Sequence, residues 1–509
     1  MGIIYQKLKE HALSRPSKLF CIVDWKENLT FSEALTEVDR IAIHLEEHLG
    51  SNCSIAVQIE DPLENCLLML AINKVAGCAV PLSYDLLPAQ VERFLTSANA
   101  RCIIVDERKK ALLASKRLGV ETIVTTEFHK RSACSSGSRV SALNFGYDVE
   151  QPYLITFSSG STGDPKPLIY TEMNKIMRAE QAIRTYDITV DDIILNASPF
   201  YHSLGQRLTF LPLVAGCTSV LLKKFSAQAW IDAVERSQVS FTIPVSSHLH
   251  DLVEYIERES SCGGSLRTLV SSSAGISFDT KKRLMSLKNI KFHEMYGASE
   301  VATISNLRPD RIDKIKSVGQ PLDGVQVQIW DENDKVLGIN KVGEICAKSA
   351  LASPGYLNRP DLTGEFFQRG YFKTGDLGYL DEEGFLYFAG RQKDIIISGG
   401  VNVYPSDIEP VLNEHPEVRS CCAIGLKDVY FGEIVVVVVE TAFSDKRSVE
   451  KELRSLARQH LAKNQRPLRY FFREQMPSLP SGKLDKSSLL SDLQGIDLSA
   501  GSMLMKLRG

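Results

Sequence analysis

YLITFSSGSTGDPKP, residues 153–167, joins an apolar run to a loop of hydroxyls, glycines and one cation. Tyr153 to Phe157 reads as a buried strand. The loop that follows leaves backbone N–H groups free to face an anion, and Gly160 and Gly163 allow the main chain to come close. The hydroxyls of Ser158, Ser159, Ser161 and Thr162 add donors, and Lys166 adds a positive charge. This set suits a polyphosphate. It is not a Walker loop, because Pro165 stands where the second glycine of Gly-x4-Gly-Lys-Ser/Thr belongs. A flexible polar linker is the other reading, but linkers seldom follow a strand with a lysine so placed.

Outside this stretch the composition sets bounds. A chain of 509 residues is too long for one ordinary core. Its hydrophobic share of 44% and charged share of 24% are globular values. A net charge of −3 gives no electrostatic case for nucleic acid or an anionic membrane. No apolar run has transmembrane length, and the opening MGIIYQKLKEH lacks a signal peptide's apolar core. Eleven cysteines without a Cys-x-x-Cys pair fit a reducing compartment better than zinc or a disulfide framework. The expectation is a cytoplasmic enzyme with no membrane span.

Leu29 to Glu33 opens a helix with apolar spacing through Leu45, and Asn65 to Ala76 reads as another. Ser54–Ile59, Gly77–Pro81 and Cys102–Val105 read as strands. This alternation predicts a mainly parallel, doubly wound sheet. Lys130 to Gly137 reads as a surface loop. Further on, Asn174 to Tyr186 reads as a helix, and Ile193–Ala197 and Leu266–Val270 as strands. His248 and His250 have no third ligand and read as a loop or helix start. Ile434 to Val439 reads as a strand buried on both faces. Ser406-x-x-Glu409 predicts a capping box.

From about Leu29 to Leu490 the chain resembles the acyl-adenylate-forming superfamily of acyl-CoA and aryl-CoA synthetases, peptide-synthetase adenylation domains and beetle luciferases. The residues that carry the resemblance are the Ser158–Lys166 loop, Pro199-Phe200-Tyr201-His202, Tyr296-Gly297-Ala298-Ser299-Glu300, Thr374-Gly375-Asp376, Gly390-Arg391-Gln392-Lys393-Asp394 and Ser481-Gly482-Lys483. It implies an α/β fold. A large N-terminal domain of doubly wound mixed sheets, residues 1–390, would precede a small α/β lid, residues 391–509.

The same resemblance implies site roles. Tyr296, with Gly297, Ser273 and Ala274, would border adenine. Ser299 would reach the α-phosphate, Glu300 would hold Mg2+, and Asp376 would accept the ribose hydroxyls from a tight turn at a strand end. Arg391 would contact ribose or phosphate, and Lys393 would be the hinge. Gly399 and Gly400 would lie beside the pantetheine path. His202 would stand at the acyl pocket, and Lys483, His202 and Thr162 form the catalytic set.

The implied reaction is activation of a small carboxylic acid by ATP, followed by transfer to coenzyme A. An amine or a carrier-protein thiol is the alternative acceptor, and an inactive adenylate-binding regulator is the reading from another class. Phe200 to Leu208 holds no aspartate for an ammonium group, which disfavours α-amino acids. Arg207 could pair with a second carboxylate, but a solvated helix face is the expectation. Ser273 replaces the usual glycine and Gly275 the usual proline. Pro167 replaces a glycine, Glu172 stands where many relatives have histidine, and both are expected to flank the phosphate site.

Overall fold

The structure is a computed structural model. It describes residues 2–25, 27–50, 52–113, 118–130, 150–158, 166–272, 275–428, 431–477 and 484–493. Among these, the strands form four sheets.

The first sheet runs in the order Glu121–Val124, Cys102–Val105, Ser54–Gln58, Cys78–Pro81, Pro152–Ser158, Lys166–Thr171. Its pairs are parallel except the last, which is antiparallel. The second is larger. Parallel strands Lys291–Ala298, Thr268–Ser271, Phe241–Thr242, Ile193–Asn196, Thr218–Leu221 and Leu19–Val23 make its centre, and antiparallel strands close both edges. Helices between parallel strands bury their apolar stripes on both faces. Phe31, Leu45, Ile55 and Leu68 share one core, and Trp230, Leu269 and Phe292 another.

Local chemistry explains the helix starts. Glu33 N–H donates to Thr30 Oγ1 and Thr30 N–H to Glu33 Oε2, a capping box that begins Phe31–Leu49. Asp61 accepts from the N–H groups of Leu63 and Glu64, with Pro62 as first helical residue.

The third sheet is antiparallel throughout: Val325–Trp330, Gly343–Ser349, Tyr371–Leu380 and Phe367–Gln368, with Leu386–Arg391 beside Tyr371–Leu380. It corrects one expectation. Asp376 sits inside the strand Tyr371–Leu380, not at its end, because a register shift against Gly343–Ser349 absorbs the left-handed Gly375 (φ 70°). Tyr296 to Ala298 are the last three residues of the strand Lys291–Ala298.

The fourth sheet lies after Arg391. Gly432–Glu440 runs between Ser420–Asp428 and Arg469–Arg473, with Ile396–Ser398 and Val401–Val403 alongside. Val435, Val437 and Val439 pack against Leu453, while Val436 and Val438 pack against Leu489, so both faces are buried. The expected capping box at Ser406 does not form. Pro405 takes the first helical position, which leaves Tyr404 as the cap. Ser406 Oγ donates to the Ala389 carbonyl instead, and Glu409 accepts from Ala423 N–H at 2.9 Å. A helix ends at Lys130, and residues 131–137 lie outside the described residues. Among the described residues no helix is long and apolar enough to cross a membrane.

Candidate active site

The hairpin of Lys291–Ala298 with Ala302–Leu307 carries Tyr296 and Gly297, two of the residues expected to border adenine. A Cβ on Gly297 would stand 2.2 Å from the Ala302 carbonyl oxygen, so only glycine allows the two strands to approach. Tyr296 Oη donates to Asp376 Oδ2 at 2.8 Å, and Arg391 Nε lies 3.2 Å from Asp376 Oδ1. Arg391 stands directly across the strand pair from Asp376. An aromatic ring, a buried carboxylate and a cation thus meet where the second and third sheets adjoin. Burial, with the Asp376 charge second, drives the Tyr296 phenol well above its ordinary pKa. It stays a neutral donor.

Ser299 and Glu300 form the turn of that hairpin, and four side chains or amides hold it. Tyr170 Oη and Arg178 Nη1 both donate to the Ser299 carbonyl at 2.9 Å. Arg178 Nη2 reaches the Glu300 carbonyl at 3.3 Å, and Ser353 N–H donates to it at 2.6 Å. Tyr356 Oη donates to Glu300 Oε1 at 2.9 Å. Among the described residues no three metal-ligating side chains cluster. One oriented carboxylate suits magnesium, a hard ion that keeps its waters and takes its other ligands from phosphate.

Ser158 and Lys166 pair across antiparallel strands, so the chain between them leaves and returns at one point of the first sheet. Lys166 Nζ lies 4.6 Å above the Phe366 ring, which neighbours Tyr356. Ser159, Gly160, Ser161, Thr162 and Gly163 lie outside the described residues, as do Ser273, Ala274 and Lys483.

His202 caps the helix Ser203–Ala215. Asn196 pins this turn, accepting from Ser198 N–H at 3.0 Å and donating to the Gly205 carbonyl at 3.2 Å. A Cβ on Gly205 would meet the Pro199 carbonyl at 2.1 Å, so the glycine lets the helix fold back onto its own entry. Two expectations fail nearby. Arg207 is partly buried rather than on a solvated face: its Nη1 donates inward to Thr303 Oγ1 at 2.6 Å. Glu172, expected to flank the phosphate site, accepts instead from Ile4 N–H at 2.9 Å, anchoring the N-terminal helix. Burial raises the pKa of its carboxyl. His248 opens the helix Ser246–Cys262 and stacks on Phe225 at 3.3 Å, a packing role.

Lys393 sits exposed in the single-turn helix Gln392–Asp394, between the third and fourth sheets. Gly399 and Gly400 are left-handed (φ 62° and 79°) and form the turn between Ile396–Ser398 and Val401–Val403 of the fourth sheet, Gly399 N–H donating to Phe431 O at 2.8 Å. Lys486, three residues past Lys483, pairs with Asp394 at 2.8 Å.

Residues 8–357 match the AMP-binding enzyme family, and residues 407–483 match the AMP-binding enzyme C-terminal domain. The chain belongs to the AMP-binding enzyme family. Within it, a 2-succinylbenzoate–CoA ligase of Bacillus pumilus is 32% identical over 404 residues, 78% of this chain and 81% of that protein. A 2-succinylbenzoate–CoA ligase of Bacillus cereus is 29% identical over 490 residues, 95% of this chain and 97% of the other. The o-succinylbenzoate CoA synthetase of Bacillus subtilis, solved with its acyl-adenylate intermediate, superposes with a TM-score of 0.85. It is 26% identical, over 95% of this chain and 97% of that one. The same synthetase has been solved with ATP and a magnesium ion.

Family motifs do not point to Tyr170, Arg178 or Tyr356, which hold the Ser299–Glu300 turn. One signal was available. Lys175 and Arg178 fall at helical spacing with Ala179, Ala182 and Tyr186, on the buried stripe of Glu172–Tyr186. Cations there need a polar task.

Proposed function

We propose that the chain is an AMP-forming acid–coenzyme A ligase of the cytoplasm. ATP activates a small carboxylic acid to an acyl-adenylate with release of pyrophosphate, and the acyl group then passes to the thiol of coenzyme A. One observation carries the reading: Tyr296, Asp376 and Arg391 converge beside the oriented Glu300 turn, in a chain with both modules of the family. The named relatives are CoA ligases, which favours coenzyme A over an amine or carrier-protein acceptor.

The roles follow from charge. A carboxylate is a poor electrophile because its oxide leaving group is bad, and attack on the α-phosphorus converts it to a mixed anhydride. The transition state is anionic, so the protein's work is positioning and charge stabilisation. Tyr296 stacks on adenine and Asp376 accepts from the ribose hydroxyls. Arg391 already faces Asp376 and lies within reach of ribose or phosphate. The Ser158–Lys166 loop holds the outer phosphates, with Ser159, Ser161 and Thr162 as donors. Magnesium held by Glu300 would neutralise charge on the phosphate oxygens. Ser299 donates to the α-phosphate, and Lys483 bridges it to the incoming carboxylate. His202 borders the acyl group.

Residues 1–390 and 391–509 act as body and lid. Lys483 must withdraw before a thiol reaches the acyl carbon, so the lid turns at Lys393 and brings Gly399 and Gly400 to the thiol's path.

The test is ATP-dependent pyrophosphate release across a panel of acids, with mass spectrometry of products formed with coenzyme A, amines and carrier protein. Acyl-CoA is the expected product. Amide as the main product, or no pyrophosphate with any acid, would reject the proposal.

A further inference from the structure

Arg207 is a partly buried cation with no anion partner among the described residues. It lies five residues past His202 on the helix Ser203–Ala215 and reaches the hairpin that bears Tyr296. Nη1 donates to Thr303 Oγ1 and stands 3.3 Å from Met295 Sδ. Thr303 pairs in register with Gly297, and Met295 precedes Tyr296, so the guanidinium sits between the His202 turn and the strand of Tyr296. Among the described residues Nε and Nη2 have no hydrogen-bond partner, and Arg207 makes no ion pair.

Two buried cations stand close by, and both are engaged elsewhere. Lys175 Nζ donates to Gln206 Oε1 at 2.7 Å and lies 3.3 Å over the Tyr170 ring. Arg178 spends its donors on the carbonyls of Ser299, Glu300 and Leu351. Neither forms an ion pair among the described residues. Burial lowers the basicity of both Lys175 and Arg207, and the Arg178 charge adds to it. Desolvating a guanidinium is costly unless an anion with good geometry offsets it. Packing alone would be served by Met or Leu at this position, so the fold gives no reason for the charge.

We infer that Arg207 is the specificity-determining residue of the acid pocket, where its free N–H fork receives a second carboxylate at the far end of the substrate. The inference rests on the adenylation reading above. A guanidinium presents parallel donors matched to two carboxylate oxygens, a geometry that an ammonium lacks. The substrate class is therefore the dicarboxylic acids, one carboxylate reacting near the α-phosphate and the other held by Arg207.

The experiment compares wild type, Arg207→Met and Arg207→Lys on adipate, isophthalate and 2-succinylbenzoate, each paired with its monomethyl ester. Pyrophosphate release gives kcat and KM, and calorimetric titration of the same acids reads binding without turnover. Wild type is expected to prefer diacid to monoester. Arg207→Met should reduce that preference about 10²-fold, mainly through KM for the diacid, with Arg207→Lys recovering part. Equal use of diacid and monoester by wild type, a uniform loss on both in Arg207→Met, or a rise confined to the KM for ATP would overturn the inference. If no acid releases pyrophosphate, the adenylation reading falls by itself. The titrations still decide Arg207, through diacid binding that is lost in Arg207→Met or equal binding by both proteins.

Discussion

Tyr356 and Glu300 show how a reacting shell is held from behind. The phenol donates to one carboxylate oxygen, and the proposed magnesium would take the other. Burial, with the Glu300 charge second, keeps the Tyr356 phenol protonated by raising its pKa far above the ordinary value. Tyr356→Phe should raise the magnesium needed for half-maximal pyrophosphate release about 10-fold, the usual effect of losing a partner behind a ligand. Glu300→Gln should raise it further, because an amide holds a hard cation poorly. Unchanged magnesium titrations in both variants would place the ion elsewhere. At Lys483 the expected effect is selective. Lys483→Ala should slow adenylate formation by about 10²–10³ while sparing thioester formation from supplied acyl-adenylate. Equal damage to the two half-reactions would reject its role.

At the scale of elements, the link between the third and fourth sheets combines rigidity on both sides with one exposed turn. Arg391 is fixed across from Asp376, and Lys486 is fixed to Asp394, yet Lys393 between them is exposed. Rotation there disturbs little buried surface. Proline at 393 fixes φ near roughly −65°. Lys393→Pro should therefore leave adenylate formation near normal and slow thioester formation severely, since the lid could no longer turn. Parental thioester rates in a folded Lys393→Pro protein would remove Lys393 as the hinge. The antiparallel third sheet was not foreseen from alternating strands and helices. Its strands pair mostly with their neighbours in the chain, and the one pairing that closes it, Gly343–Ser349 with Tyr371–Leu380, joins strands separated by a helix and a short strand.

For the whole molecule, two histidines, His293 buried and His248 partly buried, set an acid limit. Burial lowers the pKa of His248, stacked on Phe225, to about 4, and that of His293, beside Asn306 and Tyr186, also to about 4. Unfolded, each titrates near pH 6.5, so between about 4 and 6.5 the unfolded chain binds more protons. Their contribution to stability is complete above roughly pH 6.5 and is lost as pH falls towards 4, on the order of a few kcal/mol together. Denaturant midpoints measured from pH 7.5 down to 4.5 should fall across this window, and His293→Gln and His248→Phe should each flatten the slope. Identical slopes in all three proteins would show that other groups set the limit.

By itself the sequence determined the elements and the class of chemistry, because both depend on local pattern. Apolar spacing through Leu45 marked the first long helix, the continuous β-branched run Ile434–Val439 marked a buried strand, and glycine with hydroxyl spacing pointed residues 158–166 towards phosphate. Tertiary structure alone decided where polar side chains turn. Arg207 turns inward to Thr303 on the hairpin of Tyr296, and Glu172 faces the N-terminal helix because Ile4 offers it a free N–H. Arg178 joins three carbonyls from segments more than a hundred residues away. A side chain's partner in the folded chain is set by distances that no linear spacing encodes, and a buried charge must find such a partner or await a ligand.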